Sequence, residues 1–157
     1  MRRASVLTCA AAVLGMSVVA NAQWSDNFDS YPSNVSINGL GGWQGWGNVP
    51  ANSPNTSTAQ ALSAPNSILV TGNASSSTNY SDNVHKYTGY SSGQWRYTAN
   101  VFIPTNYTGD EYFILMNQYA DPAGPFNWSI EMVMSGTTNQ ISDDYQTGAA
   151  GTLAIGA

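Results

Sequence analysis

Cleaving a glycosidic bond takes two carboxyl groups on one face: one protonates the leaving group, the other attacks or activates water. In "NWSIEMVM" Glu131 is the only acid. Glu111 has only Asp110 beside it, and adjacent residues on a strand point to opposite faces. Neither glutamate has an acid partner along its own strand, so Glu131 reads as an exposed strand residue. His85 is the only histidine, and Cys9 the only cysteine. Without a second histidine or a cysteine nucleophile nearby, His85 suggests neither a triad nor a zinc site. It reads as a plain strand residue in "NVHKY".

Asp26 and Asp29 in "SDNFD", and Asp143-Asp144 in "SDDY", offer hard oxygen ligands. Calcium takes six to eight such ligands. No EF-hand spacing occurs, and aspartates also cap turns for local reasons. A structural calcium is the one cofactor these residues leave open. Asn-x-Ser/Thr triplets begin at Asn34, Asn55, Asn73, Asn79, Asn106 and Asn127. They count only in a host that glycosylates them.

The aromatic residues are more telling. "GLGGWQGWGN", Gly39 to Asn48, sets two tryptophans three residues apart among glycines. In an extended segment, residues so spaced face opposite sides. Core positions for both are the first expectation for such large aromatics; of the two, Trp43 is the one to pack inside and Trp46 the one to face out. Indole stacks well on the apolar face of a pyranose ring, and its N–H still seeks a partner. Trp46 is therefore the first candidate carbohydrate-binding residue. Tyr119, just before "DPAGP", is the second.

These side chains need elements to hold them, and the pattern is that of strands. Beyond the N-terminus no stretch keeps helical periodicity for three turns. "QWRYTANVFI" alternates, with Trp95, Tyr97, Ala99, Val101 and Ile103 on one face and Arg96, Thr98 and Asn100 on the other. "NWSIEMVM" sets Trp128, Ile130, Met132 and Met134 inward, Ser129 and Glu131 outward. "EYFILMNQY", Glu111 to Tyr119, is apolar on both faces in its middle, as in a strand covered on both sides. "SILVTG" is a shorter strand and "WSDNFDSY" a first one. "DPAGP" must be a loop, since two prolines cannot donate to a ladder. "SGTTN" is a hairpin turn. "SPNTSTAQ" and "TGNASSSTNYSD" read as polar connections. The expected class is all-β, an antiparallel sandwich. Only six or seven strands are countable and the C-terminus, "TGAAGTLAIGA", ends within an apolar stretch. The sandwich is therefore expected to be incomplete at its C-terminus.

The first residues carry an address. Arg2 and Arg3 precede an apolar run from Val6 to Ala20, and Ala20-Asn21-Ala22 gives the small residues a signal peptidase reads. The expected division is a signal peptide over 1–22 and a single β-sandwich domain over 23–157, the N-terminal part of a longer one. The run falls short of the roughly 20 residues a membrane span needs. Cys9 leaves with the signal, so the mature chain has no disulfide and must rely on its core. The whole chain carries nine acids against four basic residues, for a net charge of −5. Cleavage leaves Lys86 and Arg96 alone against the acids. That balance excludes the basic patch of a nucleic-acid binder and attraction to anionic membranes.

Taken in order, "DNFDSY", "GLGGWQGW", "PNSILVTG", "YSSGQWRYTANVFIPTNYTGDEYFILMNQY" and "NWSIEMVM" resemble secreted bacterial proteins of the concanavalin A-like lectin/glucanase type. The chain looks most like the LamG-like jelly-roll proteins of planctomycetes and their relatives, many of which end in a PEP-CTERM sorting segment. The resemblance covers roughly residues 24 to 145 and rests on strand order and a "GGWxGW" element. It implies an antiparallel jelly-roll β-sandwich and a binding or adhesive role outside the cell. The later strands and the sorting segment are not in this sequence. Glucan-cleaving members carry two glutamates and an aspartate alternating along one strand, which this sequence lacks. The expectation is a non-catalytic, secreted domain that binds an extracellular glycan or surface glycoprotein. The alternative is an adhesive surface protein with no small ligand.

Overall fold

A computed structural model of the chain describes residues 24–72, 81–90, 94–143 and, as backbone, 149–152. The expected signal peptide with Cys9, the triplets at Asn73 and Asn79, and Asp144 lie outside the described residues, as does most of the "TGNASSSTNYSD" connection.

The chain is all-β, in small antiparallel sheets. β1 (Trp43–Gly45) pairs with β4 (Asn83–His85), and β2 (Asn55–Ser57) with β3 (Ser67–Leu69). β5 (Asp110–Tyr119), β6 (Phe126–Ser135), β7 (Gln140–Asp143) and β8 (Ala149–Thr152) form a four-stranded meander in that order. Two 3-10 turns, Trp46–Asn48 and Pro50–Asn52, are the only helical pieces among the described residues. No helix there is long and apolar enough to cross a membrane.

The two long strands form where β-branched and aromatic residues concentrate, a composition that fits a pleated, half-buried surface. Their hairpin turns at "DPAGP", where the Gly124 N–H donates to Ala120 O over 2.7 Å. The β6–β7 turn ends at Asn139, whose φ of 54° is a left-handed value that asparagine tolerates. A bulge interrupts the β5–β6 ladder between Leu115 and Gln118. Phe113, Ile114, Leu115 and Met116 are each half-buried, so both faces of β5 are partly covered.

Buried apolar side chains are few: Ile37, Ile103, Val133 and Met134. Ile103 and Met134 anchor a cluster with Tyr107, Phe113 and Ile141. Polar staples do the rest of the fastening at the N-terminal end. Asn66 is buried; its Nδ2 donates to Tyr31 O at 2.8 Å, and Ser33 Oγ donates to its Oδ1 at 2.7 Å. Buried Thr56 accepts the Val35 N–H at 3.1 Å and donates to Pro32 O at 2.7 Å.

Four expectations are corrected. "QWRYTANVFI" is not a strand. Alternation makes a chain amphipathic, but a strand also needs a hydrogen-bonding neighbour, and residues 94–103 have no ladder partner among the described residues. Of the face expected to be buried, only Ile103 is; Trp95 and Tyr97 are each 36% exposed. "WSDNFDSY" is a turn, with the Phe28 N–H held by Asp26 Oδ1 at 2.8 Å and a φ of 64° at Phe28. "SPNTSTAQ" contains β2. Trp128 and Ile130, expected inward, are 41% and 40% exposed.

Candidate functional site

The "GGWQGW" element is positioned by its backbone. β1 ends at Gly45, where an added Cβ would collide with the Val49 carbonyl. Only glycine lets the chain fold back so closely. The Trp46 N–H donates to Asp82 O at 2.9 Å, and Trp46 O accepts from the Asn52 side chain at 3.2 Å.

Trp43 and Trp46 then part company. Both are half-buried, and each joins a different aromatic group. The Trp46 ring lies 4.9 Å from Tyr119, 4.9 Å from Phe126 and 5.9 Å from Trp128, centroid to centroid. Tyr119 and Phe126 are cross-strand partners at the mouth of the β5–β6 hairpin. The Gly47 N–H donates to the Tyr119 hydroxyl at 2.8 Å. Both sequence-derived binding candidates, Trp46 and Tyr119, are thus brought into one cluster, with Trp128 open to solvent.

A polar rim borders this cluster. Asp121 Oδ2 accepts from Lys86 Nζ at 2.7 Å and from the Gln44 amide. The Lys86 ammonium stands 5.4 Å from the Tyr119 ring centroid, within cation–π range. Asn127 Nδ2 donates to Gln118 Oε1 at 2.9 Å. Burial pushes the Tyr119 phenol up to about 12, and the Asp121 carboxylate adds to the shift. Burial would raise Asp121 too, but Lys86, Tyr119 and Gln44 together hold it below the usual carboxylate range. Asp121 therefore stays a carboxylate through neutral pH.

Trp43 joins the other group. It contacts Trp24 at 5.6 Å, Phe28 at 5.8 Å and its cross-strand partner His85 at 5.2 Å. Its Nε1–H donates to Asp26 Oδ2 at 2.9 Å. The series continues from His85 to Tyr87 at 4.8 Å and from Tyr87 to Tyr97 at 5.9 Å. His85 is indeed a strand residue, at the end of β4, with its Nε2 3.1 Å from Gly41 O. Side chains alternate along this stretch: His85 and Tyr87 serve the Trp43 group, while Lys86 between them reaches the Trp46 group.

The acids do not assemble a hydrolytic pair along one strand. Glu111 stands opposite Met134 and Glu131 opposite Ile114, so the two glutamates lie on opposite faces of the sheet. Burial raises Glu111, and the charge of Asp82 raises it further. Asp82 itself is pushed by burial to about 6. Among the described residues no group of three or more His, Cys, Asp or Glu side chains is placed to hold a metal ion. Asp26 is occupied by Phe28, Tyr31 and Trp43, and Asp29 accepts from Asn27 and from the Asn66 N–H.

Sequence reasoning missed Phe126, Trp128, Gln44, Lys86 and Asp121 as neighbours of Trp46. Alternation set Trp128 and Ile130 on one inward face, but a bulge in the ladder breaks the phase between them and both are exposed. No family model matches this chain, and no curated protein or solved structure matches it either.

Proposed function

We propose that the protein is a secreted, non-catalytic, lectin-like domain of LamG-like jelly-roll type that binds extracellular polysaccharide or glycoprotein. The observation that carries this reading is the cluster of Trp46, Tyr119, Phe126 and Trp128, with Trp128 exposed and hydrogen-bonding side chains at its border. Sugars are recognised by this combination: aromatic faces for the C–H side of the ring, and amide, carboxylate and ammonium groups for the hydroxyls. The N-terminal pattern of residues 1–22 supports export.

The test is a titration of indole emission with soluble polysaccharides. Saturable change that is lost in Trp46→Ala and kept in Trp43→Ala is the expected result. A folded protein whose emission ignores every sugar would sink the proposal.

A second reading, an adhesive surface protein, draws on a separate observation. Among the described residues β5 is a ten-residue strand at the edge of its sheet, and a sheet edge can accept a strand from another chain. Concentration-dependent self-association without sugar binding would favour it.

A further inference from the structure

Resting on the glycan reading above, we propose that the ligand is an acidic polysaccharide, and that Arg96 receives its carboxylate or sulfate groups. The chain has four basic residues, and two of them, Arg2 and Arg3, stand in the leader-like segment. Lys86 and Arg96 are the remaining two. The Lys86 ammonium stands over the Tyr119 ring, and Arg96 lies between Trp95 and Tyr97 in the chain. Lys86 is already matched by Asp121. Arg96 is exposed and has no carboxylate partner among the described residues.

Arg96 is also placed at a concavity. Trp95, Arg96 and Tyr97 line a groove of about 390 Å³ over Leu115, Ile130 and Met132. That lies within the roughly 300–1,000 Å³ of ligand clefts. Three consecutive residues lining one groove would be forbidden in a regular strand, whose side chains alternate. The segment escapes this because it belongs to no ladder, so all three residues can border the same groove. The apolar floor supplies the surface for a sugar's C–H face. A planar guanidinium pairs with carboxylate or sulfate through two parallel hydrogen bonds.

The groove and the Trp46 cluster lie on either side of the bulge in the β5–β6 ladder: Ile130 pairs with Leu115, and Trp128 with Met116. The net negative charge of the protein does not forbid an anionic ligand. At physiological salt, charges separated by more than about 8 Å are largely screened, so the groups nearest Arg96 decide. Glu131, between Ile130 and Met132, points away from the groove by strand alternation.

The experiment uses the purified protein with two arms. Polygalacturonate, alginate and chondroitin sulfate form the acidic arm; methyl-esterified polygalacturonate and a neutral β-glucan form the other. Binding is read from indole emission at low and high salt, for the natural chain, Arg96→Gln, Arg96→Lys and Trp46→Ala. The expected result is salt-sensitive binding of an acidic polymer. It weakens about tenfold or more in Arg96→Gln, as loss of a charge-assisted hydrogen bond demands, and returns in part in Arg96→Lys. Equal binding of the neutral polymers, unchanged in Arg96→Gln but lost in Trp46→Ala, would overturn this inference and leave the lectin reading standing. Acidic binding indifferent to Arg96→Gln would also overturn it. No binding in either arm would remove both. Polyuridylate binding tighter than every polysaccharide would reassign the groove to another polyanion.

Discussion

The indole of Trp46 and the ring of Tyr119 pack with centroids 4.9 Å apart and planes inclined at 59°, and the residue after Trp46 donates its N–H to the tyrosine hydroxyl. Two segments distant in sequence are thereby locked by one ring contact and one hydrogen bond. The lock ties the 3-10 turn at Trp46 to the four-stranded sheet.

Trp128 is the member of this group that solvent reaches, so its removal should cost binding rather than folding. Trp128→Ala is expected to weaken sugar binding about 3- to 10-fold, the worth of one aromatic contact. The melting temperature should stay within a few degrees of the natural chain. A large drop in melting temperature would place the ring in the core after all.

Asp82 makes stability depend on pH. Its carboxyl group ionises near 6 in the folded chain against an ordinary value of 3.8. The folded state therefore holds the proton more tightly than the unfolded one, and stability falls as pH rises from about 4 to about 6. Above that window the full penalty is present. A shift of this size has a ceiling of about 3 kcal/mol, and solvent reaching the partly exposed group reduces it to about 1–2 kcal/mol. Asp82→Asn should recover that amount at pH 7 and nothing at pH 3.5, as measured by urea denaturation at the two pH values.

Gly45→Ala tests the close turn. A methyl group there meets the Val49 carbonyl, so the β1 end and the 3-10 turn must shift apart. A loss of about 1–3 kcal/mol is expected. Because Trp46 follows directly, its emission should move to the red even without ligand. An unchanged spectrum would show that the turn yields elsewhere.

Asn66→Ala removes a buried side chain with partners on both amide atoms. The carbonyl of Tyr31 loses a donor and the hydroxyl of Ser33 an acceptor. Groups left unsatisfied in the interior cost about 1–3 kcal/mol each. Asn66→Asp sets a buried carboxylate against the carbonyls of Tyr31 and Phe28, and should cost at least as much as alanine at neutral pH. Equal stability for all three, by thermal denaturation, would refute the stapling role.

Much of the sheet was legible from the chain. β5 and β6 declared themselves by composition, and "DPAGP" and "SGTTN" by residues that cannot continue a ladder. The segment 94–103 misled because period two reports amphipathicity, whereas pairing depends on a neighbour that local pattern does not name. The Asp26 turn misled for another reason: the Asp26 carboxylate caps the Phe28 N–H and turns a segment read as a first strand. At the site, the spacing of Trp43 and Trp46 set one inside and one out, whereas both are half-buried, because the strand ends at Gly45 and Trp46 opens a 3-10 turn. Their partners did not follow from spacing, because Tyr119, Phe126 and Trp128 arrive through a hairpin whose placement over the turn is a tertiary fact.

The alternation around Lys86 also bears on how this chain can change over generations. His85 and Tyr87 face one aromatic group while Lys86 reaches the carboxylate of Asp121 beside the other. A single-residue insertion or deletion in β4 would slip the phase by one and exchange these roles, setting the ammonium among the Trp43 rings and an aromatic against the acid. Replacement of one side chain disturbs that residue's own contacts; a change in residue count disturbs those of all three. Descendants of this sequence are thus bound more tightly to the number of residues over 83–87 than to any one of them.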